Sequence, residues 1–342
     1  MKSLLYQSLS ILVQRLSLQQ KHRAGRWLGR MMWRLLPKRR KLAREAIALH
    51  LSQGRDQAAQ TARESFQQAG CAFLELFANR TLDHRFLQEH LHFADPDRFF
   101  TVLKAERPIV ATSGHFGAWE LLSGVLNLTA DSRPSQIIAY YPKDRELNRL
   151  LIHLRQHART EIVSNRRTTV KISRNLRQNG ISAFLVDHNC TRRKAVFLPF
   201  LRKTAAVNMG PAYLALLNKA LVWPVFLRRD GNGQYTLDCH QPLDTCSLSG
   251  SKEEKIKAIA DFYTRAVQKQ LLQAPEQWLW MHDRWKTQPR NAKPHESSRR
   301  QRRRKMSQAE TGNGESGARN AERGARRNAE RGNAERGTGN AE

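Results

Sequence analysis

Residues 108–120 read PIVATSGHFGAWE, and this stretch predicts where the chain passes from a strand into a helix. Ile109 to Thr112 is a short apolar, partly β-branched run, which is typical of a buried strand. Ser113-Gly114 ends that strand, and a helix is predicted from Ala118 to about Leu128. His115 is therefore expected at the exit of the strand, and Glu120 in the first turns of the helix.

A histidine and a carboxylate at this spacing suit general-base chemistry. The histidine must be neutral and held in one tautomer to accept a proton. A carboxylate bonded to its other ring nitrogen fixes that tautomer and stabilises the imidazolium that forms. We expect His115 to be the base and Glu120 to hold it. The spacing alone is also compatible with an ordinary polar loop that has no catalytic role.

Strands and helices are predicted to alternate from residue 108 to residue 240. The predicted strands are 109–112, 136–140, 162–163, 181–186, 222–227 and 234–239, and the helices between them are 118–128, 148–158, 168–178 and 213–217. Further helices are predicted at 56–79 and 252–272. The alternation indicates an α/β fold with a mixed, mostly parallel central sheet flanked by helices.

One of these strands is followed directly by polar residues. Asp187 and His188 come after the strongly apolar run 181–186. Open α/β sheets bind ligands at the carboxyl ends of their strands, so both residues are candidates for the site. Asp187 and His188 could also pair as a second base, which is an alternative to His115.

The chain has 342 residues and a net charge of +29, so its partners should be negatively charged: nucleic acid, an anionic membrane or an acidic protein. No nucleic-acid-binding motif is recognisable, and no specific nucleic-acid partner is expected. The four cysteines form no CxxC motif, which indicates reduced thiols rather than a zinc site or disulfides. Without a P-loop or a metal-ligand motif, neither a cofactor nor a metal is expected.

Residues 1–52 are basic and amphipathic, with twelve Lys or Arg and no Asp or Glu between Met1 and Arg44. No apolar run reaches the roughly 20 residues that a membrane-spanning helix needs. We expect a helix that lies in the membrane surface, with its apolar face in the acyl boundary and its basic residues at anionic headgroups. The alternative is a helix packed on the protein's own core.

Residues 290–342 differ in character from the rest. The sequence NAERG recurs at 320–324, 328–332 and 333–337, and such a polar repeat predicts a disordered tail. The tail has fourteen Lys or Arg and seven Asp or Glu, a net charge of +7, so +29 − 7 = +22 belongs to the body. The sequence thus predicts three regions: 1–52, a domain at 53–289, and the tail.

The block His115-x4-Glu120 after a strand resembles the H-x4-D/E block of the glycerolipid acyltransferase superfamily. Its sequence, HFGAWE, is similar to that of the same block in the lipid A late (secondary) acyltransferases, the lauroyl/myristoyl transferase family. Phe197-Leu-Pro-Phe200 and the segment PEQWLWMHDRWK at 275–286 match further blocks of that family. Leu201 stands where the family usually has glycine. The resemblance covers about residues 1–288.

The resemblance implies an acyltransferase that moves a fatty acyl chain from an acyl carrier protein thioester to a hydroxyl of a lipid A precursor, with His115 and Glu120 as catalytic residues. It also implies a place at the cytoplasmic face of the cell inner membrane, either peripheral or through a single N-terminal anchor. Whether the N-terminal helix spans the membrane or lies in its surface stays open. The substrate-binding residues that the resemblance suggests, together with the basic loop, are Asn148, Arg155, Asp187, His188 and Arg192. Arg149 and Arg159 are close alternatives to Arg155.

Three further questions stay open at this level. The donor is either an acyl carrier protein or coenzyme A. The acceptor is either a lipid A precursor or another glycolipid or lysophospholipid. A non-enzymatic protein that binds nucleic acid or a membrane surface through its basic charge is the rival from a different class.

Overall fold

The computed structural model of the protein describes residues 10–130, 133–165 and 168–290. Apart from Arg290, the predicted disordered tail lies outside the described residues, as do the first nine residues of the predicted N-terminal segment.

The described chain alternates between strands and helices, as expected. The strands are β1 (Leu91–Phe93), β2 (Ile109–Ser113), β3 (Ser135–Ala139), β4 (Thr160–Ser164), β5 (Ile181–Leu185), β6 (Ala195–Phe200), β7 (Lys203–Asn208), β8 (Leu221–Gly231), β9 (Gln234–Cys239) and β10 (Leu243–Asp244). The helices are α1 (Leu18–Leu35), α2 (Pro37–Leu51), α3 (Arg55–Asn79), α4 (His84–His90), α5 (Pro96–Lys104), α6 (Leu122–Thr129), α7 (Arg145–Arg155), α8 (Thr169–Arg177), α9 (Gly210–Leu217) and α10 (Lys252–Gln273). A 3-10 turn at Trp119–Leu121 precedes α6.

The central sheet of the described chain has eight strands in the order β1-β9-β8-β2-β5-β3-β4, with β10 beside β8. The β2–β5, β2–β8, β3–β5, β3–β4 and β1–β9 pairs are parallel, while β8 pairs antiparallel with β9 and β10. The predicted α/β class, with a mixed and mostly parallel sheet flanked by helices, is confirmed.

Strand β2 lies in the middle of this sheet and is covered on both faces. Val110 belongs to one apolar cluster, whereas Ile109 and Ala111 belong to a second one. All five residues of β2 are buried. A parallel strand covered on both faces needs an almost continuous apolar run, which is what made it recognisable in the sequence.

Helix α1 packs directly on α3 through glycines. A Cβ atom added at Gly29 would lie 2.2 Å from the carbonyl oxygen of Phe66, and one added at Gly70 would lie 2.1 Å from the carbonyl oxygen of Gly25. One face of the N-terminal region therefore packs on the protein's own core, as in the alternative interpretation of the sequence.

The other face of α1 carries exposed residues, namely Arg23, Trp27, Arg30 and Arg34. Within the described ranges, no helix combines the length and the apolar character that crossing a bilayer requires. Association of α1 with a membrane surface stays a prediction.

Strands β6 and β7 form an antiparallel hairpin that the sequence pattern did not predict. The segment Phe197–Phe200 had been recognised only by its resemblance to a family block. Leu201 follows β6 with a φ of 54°, in the left-handed region that favours glycine. The departure from the family pattern at this position thus leaves the turn in place with a residue less suited to it.

Candidate active site

The loop after β2 presents His115 and is tied down on both sides. The main-chain N–H groups of Gly117 and Ala118 donate to the carbonyl oxygens of Gln277 (3.0 Å) and Leu227 (2.8 Å). Gly117 has a φ of +57°, and a Cβ atom there would lie 2.1 Å from the Leu227 oxygen. Only glycine allows the loop to lie this close to β8.

A buried ion pair between Arg229 and Glu75 also holds this loop in place. Nε and Nη2 of Arg229 donate to the Glu75 carboxylate at 2.8 and 2.5 Å, and Nη2 also donates to the carbonyl oxygen of Gly117 at 3.1 Å. Nε2 of His22 and the hydroxyl of Tyr235 each lie 2.8 Å from Oε1 of Glu75. Burial opposes ionisation of Glu75, but Arg229 outweighs it and lowers the pKa of this carboxyl to about 2.

Asp187 is the carboxylate that holds His115. Nδ1 of His115 lies 2.8 Å from Oδ1 of Asp187, and the main-chain N–H of His115 donates to Oδ2 at 2.7 Å. The two residues meet because β5 runs parallel to β2, with Leu185 opposite Ser113, so both strands end at the same edge. Asp187 is 2% exposed.

This pair gives His115 the properties of a base. Burial alone would lower the pKa of the His115 imidazole, but the charge and hydrogen bond of Asp187 outweigh it and raise that pKa above 6.5. Burial likewise disfavours the Asp187 carboxylate, yet His115 holds the pKa of this carboxyl well below its ordinary value. The Nδ1 proton is thereby fixed on the Asp187 side, which leaves Nε2 to accept a proton.

The expectation that Glu120 holds His115 is wrong. Both Glu120 oxygens accept from Arg155, at 2.8 Å from Nε and 2.7 Å from Nη2. Glu120 lies in the 3-10 turn, and its 7% exposed carboxylate forms a two-point pair with the planar guanidinium. Spacing along the chain had placed Glu120 near His115, but a guanidinium with two parallel donors is the stronger partner.

A cavity of about 610 Å³ opens beside these residues. Its polar wall contains His115, Glu120, Arg155 and His188. The remaining wall is mostly apolar and aromatic, with residues from the sheet, α3, α5 and α6, including Phe73, Phe99, Ala111, Val125, Leu126, Ala183, Trp223, Val225 and Leu237. Volume and lining suit a ligand with a hydrocarbon chain whose reacting end lies at His115.

The other predicted site residues are distributed unevenly. His188 lines the cavity, and its Nδ1 lies 3.0 Å from the carbonyl oxygen of Leu185. Asp187, predicted to bind substrate, instead lies behind His115 and is not among the residues that line the cavity, which corrects that prediction. Asn148 on α7 and Arg192, whose Nε donates to the Gln288 carbonyl oxygen at 2.7 Å, do not line the cavity either. Their substrate-binding roles stay predictions.

Two residues of the C-terminal segment complete the surroundings of Asp187. The indole Nε1–H of Trp278 donates to Oδ2 at 2.8 Å, and Nε2 of His282 lies 3.0 Å from the Asp187 carbonyl oxygen. The similarity of this segment to a family block was a signal of importance, but nothing in it named Asp187 as the partner.

A histidine backed by a buried carboxylate at a mostly apolar cavity, in a mixed α/β fold, is the arrangement expected of an enzyme that acts on acyl chains. The model of the bacterial lipid A biosynthesis acyltransferases matches residues 3–287, and the chain belongs to that family. It is an O-acyltransferase of lipid A or glycolipid biosynthesis.

Individual relatives are distant in sequence but similar over most of their length. The chain is 23% identical to the lipid A biosynthesis lauroyltransferase of Escherichia coli K12, over 78% of this chain and 86% of the relative. It is 22% identical to the lipid A biosynthesis palmitoleoyltransferase of the same organism, over 78% and 84%. It is 25% identical to the phosphatidylinositol mannoside acyltransferase of Mycolicibacterium smegmatis, over 62% and 67%.

Proposed function

We propose that this protein transfers a fatty acyl chain from an acyl carrier protein thioester to a hydroxyl of a lipid A precursor, with His115 as general base. The observation that supports this most is that His115, which lines the apolar cavity, is held from behind by Asp187. The cavity would hold the acyl chain of the donor, and Nε2 of His115 would meet the acceptor hydroxyl.

The reaction needs no covalent enzyme intermediate. His115 Nε2 takes the hydroxyl proton while the oxygen attacks the thioester carbonyl carbon. The tetrahedral intermediate then collapses, its carbon–sulfur bond breaks, and the leaving thiolate receives the proton from the imidazolium. Asp187 holds the ring throughout and stabilises the imidazolium. An ester forms, a thioester is consumed, and the base returns to its neutral state.

Arg155 is the favoured donor to the developing oxyanion. Main-chain amides of the loop after β2 are another possible source of donors, but four of them are already engaged. His115 donates to Asp187, and Phe116, Gly117 and Ala118 donate to carbonyl oxygens. Arg155 lines the cavity, and Glu120 fixes the orientation of its guanidinium. A cation fixed in a mostly apolar cavity stabilises a developing negative charge more strongly than a cation in bulk water does.

The net positive charge of the molecule supports the proposed donor, the proposed acceptor and a location at a membrane. The body carries most of the net charge of +29, which suits an acidic carrier protein and the phosphates of a lipid A precursor. On α1, Trp27 is 57% exposed among exposed arginines, the arrangement expected at an anionic lipid surface. These features support our proposal that the protein acts at the cytoplasmic face of the inner membrane.

A second candidate acceptor is another glycolipid. The similarity to a phosphatidylinositol mannoside acyltransferase favours it, since that relative matches 62% of this chain but is named for a different acceptor. The chemistry at His115 would be the same, and only the binding of the acceptor would differ.

Mass spectrometry of the lipids of cells with and without this protein tests the proposal. One acyl chain should be missing from lipid A when the protein is absent, and expression of the wild type should restore it. His115→Gln should fail to restore it, while His84→Gln, which changes an exposed histidine on α4, should restore it fully. Unchanged lipid A together with a loss of acyl groups from another glycolipid would refute the lipid A assignment and support the second acceptor.

A further inference from the structure

Trp278 lies against the acid of the His115–Asp187 pair. The Asp187 carboxylate accepts three N–H groups: the ring and the main chain of His115, and the indole of Trp278 at 2.8 Å from Oδ2. Among the hydrogen bonds of the described chain, the Asp187 carboxylate thus accepts from two residues, His115 and Trp278. The tryptophan itself lies behind the pair and does not line the cavity.

The indole of Trp278 is fixed in place. The residue is 1% exposed, and its carbonyl oxygen accepts from the Ser65 hydroxyl at 2.6 Å. Its ring packs edge-on against Trp280 at 4.6 Å and against His282 at 4.9 Å. The direction of its N–H group is therefore set by packing, and water does not compete for Oδ2.

We propose that Trp278 is a positioning residue for acyl transfer, which orients the Asp187 carboxylate and moderates how strongly that carboxylate holds a proton on His115. This inference rests on the proposed function, because it assigns a role beside the base that the proposal names. It also gives a chemical reason for a tryptophan in the C-terminal segment, independent of any contact with a membrane.

The physical argument concerns competition for the negative charge of Asp187. A donor on Oδ2 spreads and stabilises that charge, so less of it is available to the imidazolium on the other side. Removing the donor should strengthen the hold of Asp187 on the protonated ring and raise the pKa of His115. The other groups that act electrostatically on His115 or Asp187 stay unchanged in such a variant, and they are Glu120, Arg155, His188, His282 and Arg284.

The test compares Trp278→Phe with Trp280→Phe. Both residues are 1% exposed, but the indole of Trp280 donates to the Pro275 carbonyl oxygen instead of Asp187. The profile of kcat/KM against pH is measured with an acyl carrier protein thioester and a lipid A precursor. Trp278→Phe should move the acidic limb upward by roughly 0.5 to 1 pH unit and lower kcat about 3- to 10-fold. Trp280→Phe should leave the limb where it is.

The outcomes separate this inference from the function on which it rests. An acidic limb that stays in place in Trp278→Phe, or that moves equally in both variants, overturns the role of Trp278 and leaves the proposed function standing. A wild-type imidazole titration, followed by NMR of labelled histidine, that matches the acidic limb and disappears in His115→Gln identifies the base. If the limb matches no titration of His115, both the base and this inference fail.

A measurement that keeps Trp278 in place covers the case in which Trp278→Phe does not fold. The indole N–H signals are followed by NMR as the pH changes, in a Trp119→Phe background because Trp119 also lies near the ring of His115 at 5.6 Å. One indole signal should shift with the midpoint of His115, and this shift should vanish in His115→Gln. If no indole signal follows that midpoint, Trp278 does not sense the pair and the inference is wrong.

Discussion

Replacing Asp187 by asparagine should abolish most of the activity, because asparagine keeps the shape of the side chain but changes its hydrogen bonding. Oδ2 of Asp187 accepts two N–H groups, from the His115 main chain and from Trp278, while Oδ1 accepts one from the His115 ring. An asparagine offers one oxygen and one NH2 group. The Oδ2 position faces two donors and the Oδ1 position only one, so the asparagine oxygen should take the place of Oδ2. The NH2 group then takes the place of Oδ1 and faces Nδ1 of His115.

The size of the effect follows from the tautomer that this forces. Nδ1 of His115 would then have to accept a hydrogen bond, so the ring proton would move to Nε2, and the base would lose its free lone pair. The same acid-to-amide change in a Ser-His-Asp triad lowers kcat by about 10⁴. We expect a loss on the order of 10³ to 10⁴ here, which is about 4 to 5.5 kcal/mol of transition-state stabilisation.

The assay is the steady-state transfer of an acyl group from a carrier-protein thioester, with thermal unfolding as the folding control. Glu120→Gln is the matched variant, since it changes a buried carboxylate whose partner is Arg155. It leaves the tautomer of His115 intact. The factor by which it lowers kcat should therefore be smaller, by about ten-fold or more, than the factor for Asp187→Asn. If Glu120→Gln abolished transfer while Asp187→Asn kept more than about a tenth of kcat, the assignment of Asp187 as the partner of His115 would be refuted.

Three further predictions test the surroundings of the site. The kcat/KM of the wild type should rise with pH through a midpoint above 6.5, because Asp187 raises the pKa of His115 and only the neutral ring accepts a proton; a profile with its midpoint below 6.5 would contradict this. Gly117→Ala should lower the free energy of unfolding by at least about 2 kcal/mol in denaturant titrations, since its φ is positive and its Cβ would lie 2.1 Å from the Leu227 oxygen. Gly54→Ala, where a Cβ meets nothing within 4 Å, is the control and should change unfolding much less. Glu75 has a pKa lowered from 4.5 to about 2, so its contribution to stability is complete above pH 4.5 and is lost as the pH falls toward 2. Glu75→Gln leaves Arg229 buried without a charged partner and should cost about 3–5 kcal/mol, whereas Glu89→Gln, in an exposed pair, should change little.

The sequence predicted the central strands of the sheet well because each of them contains a short apolar run. Ile109–Thr112, predicted as a strand, is observed as Ile109–Ser113, and the predicted strand 181–186 is observed as Ile181–Leu185. The hairpin of β6 and β7 escaped prediction. Strand β6 reads AVFLPF, in which Pro199 breaks the usual pattern of a strand, and β7 reads KTAAVN, which mixes apolar and polar residues.

The site was predicted in part, and the missing part depended on the order of strands. Both His115 and Asp187 could be placed at the carboxyl ends of strands, but no pattern in the sequence showed that β5 lies next to β2. Short spacing therefore favoured Glu120 as the partner of His115. The 3-10 turn at Trp119–Leu121, which helical periodicity does not predict, leads instead to the pairing of Glu120 with Arg155.

The glycine contact between α1 and α3 has a mechanical consequence. The main chains of α1 and α3 are in contact at Gly25, Gly29 and Gly70, so neither helix can shift past the other without a steric clash. The two helices therefore move together as a rigid unit. Since α3 also supplies Phe73 to the wall of the cavity, a displacement of α1 is passed on to that wall. A bulkier residue at Gly29 would therefore disturb the cavity, although it lies on a different element from the one that carries His115.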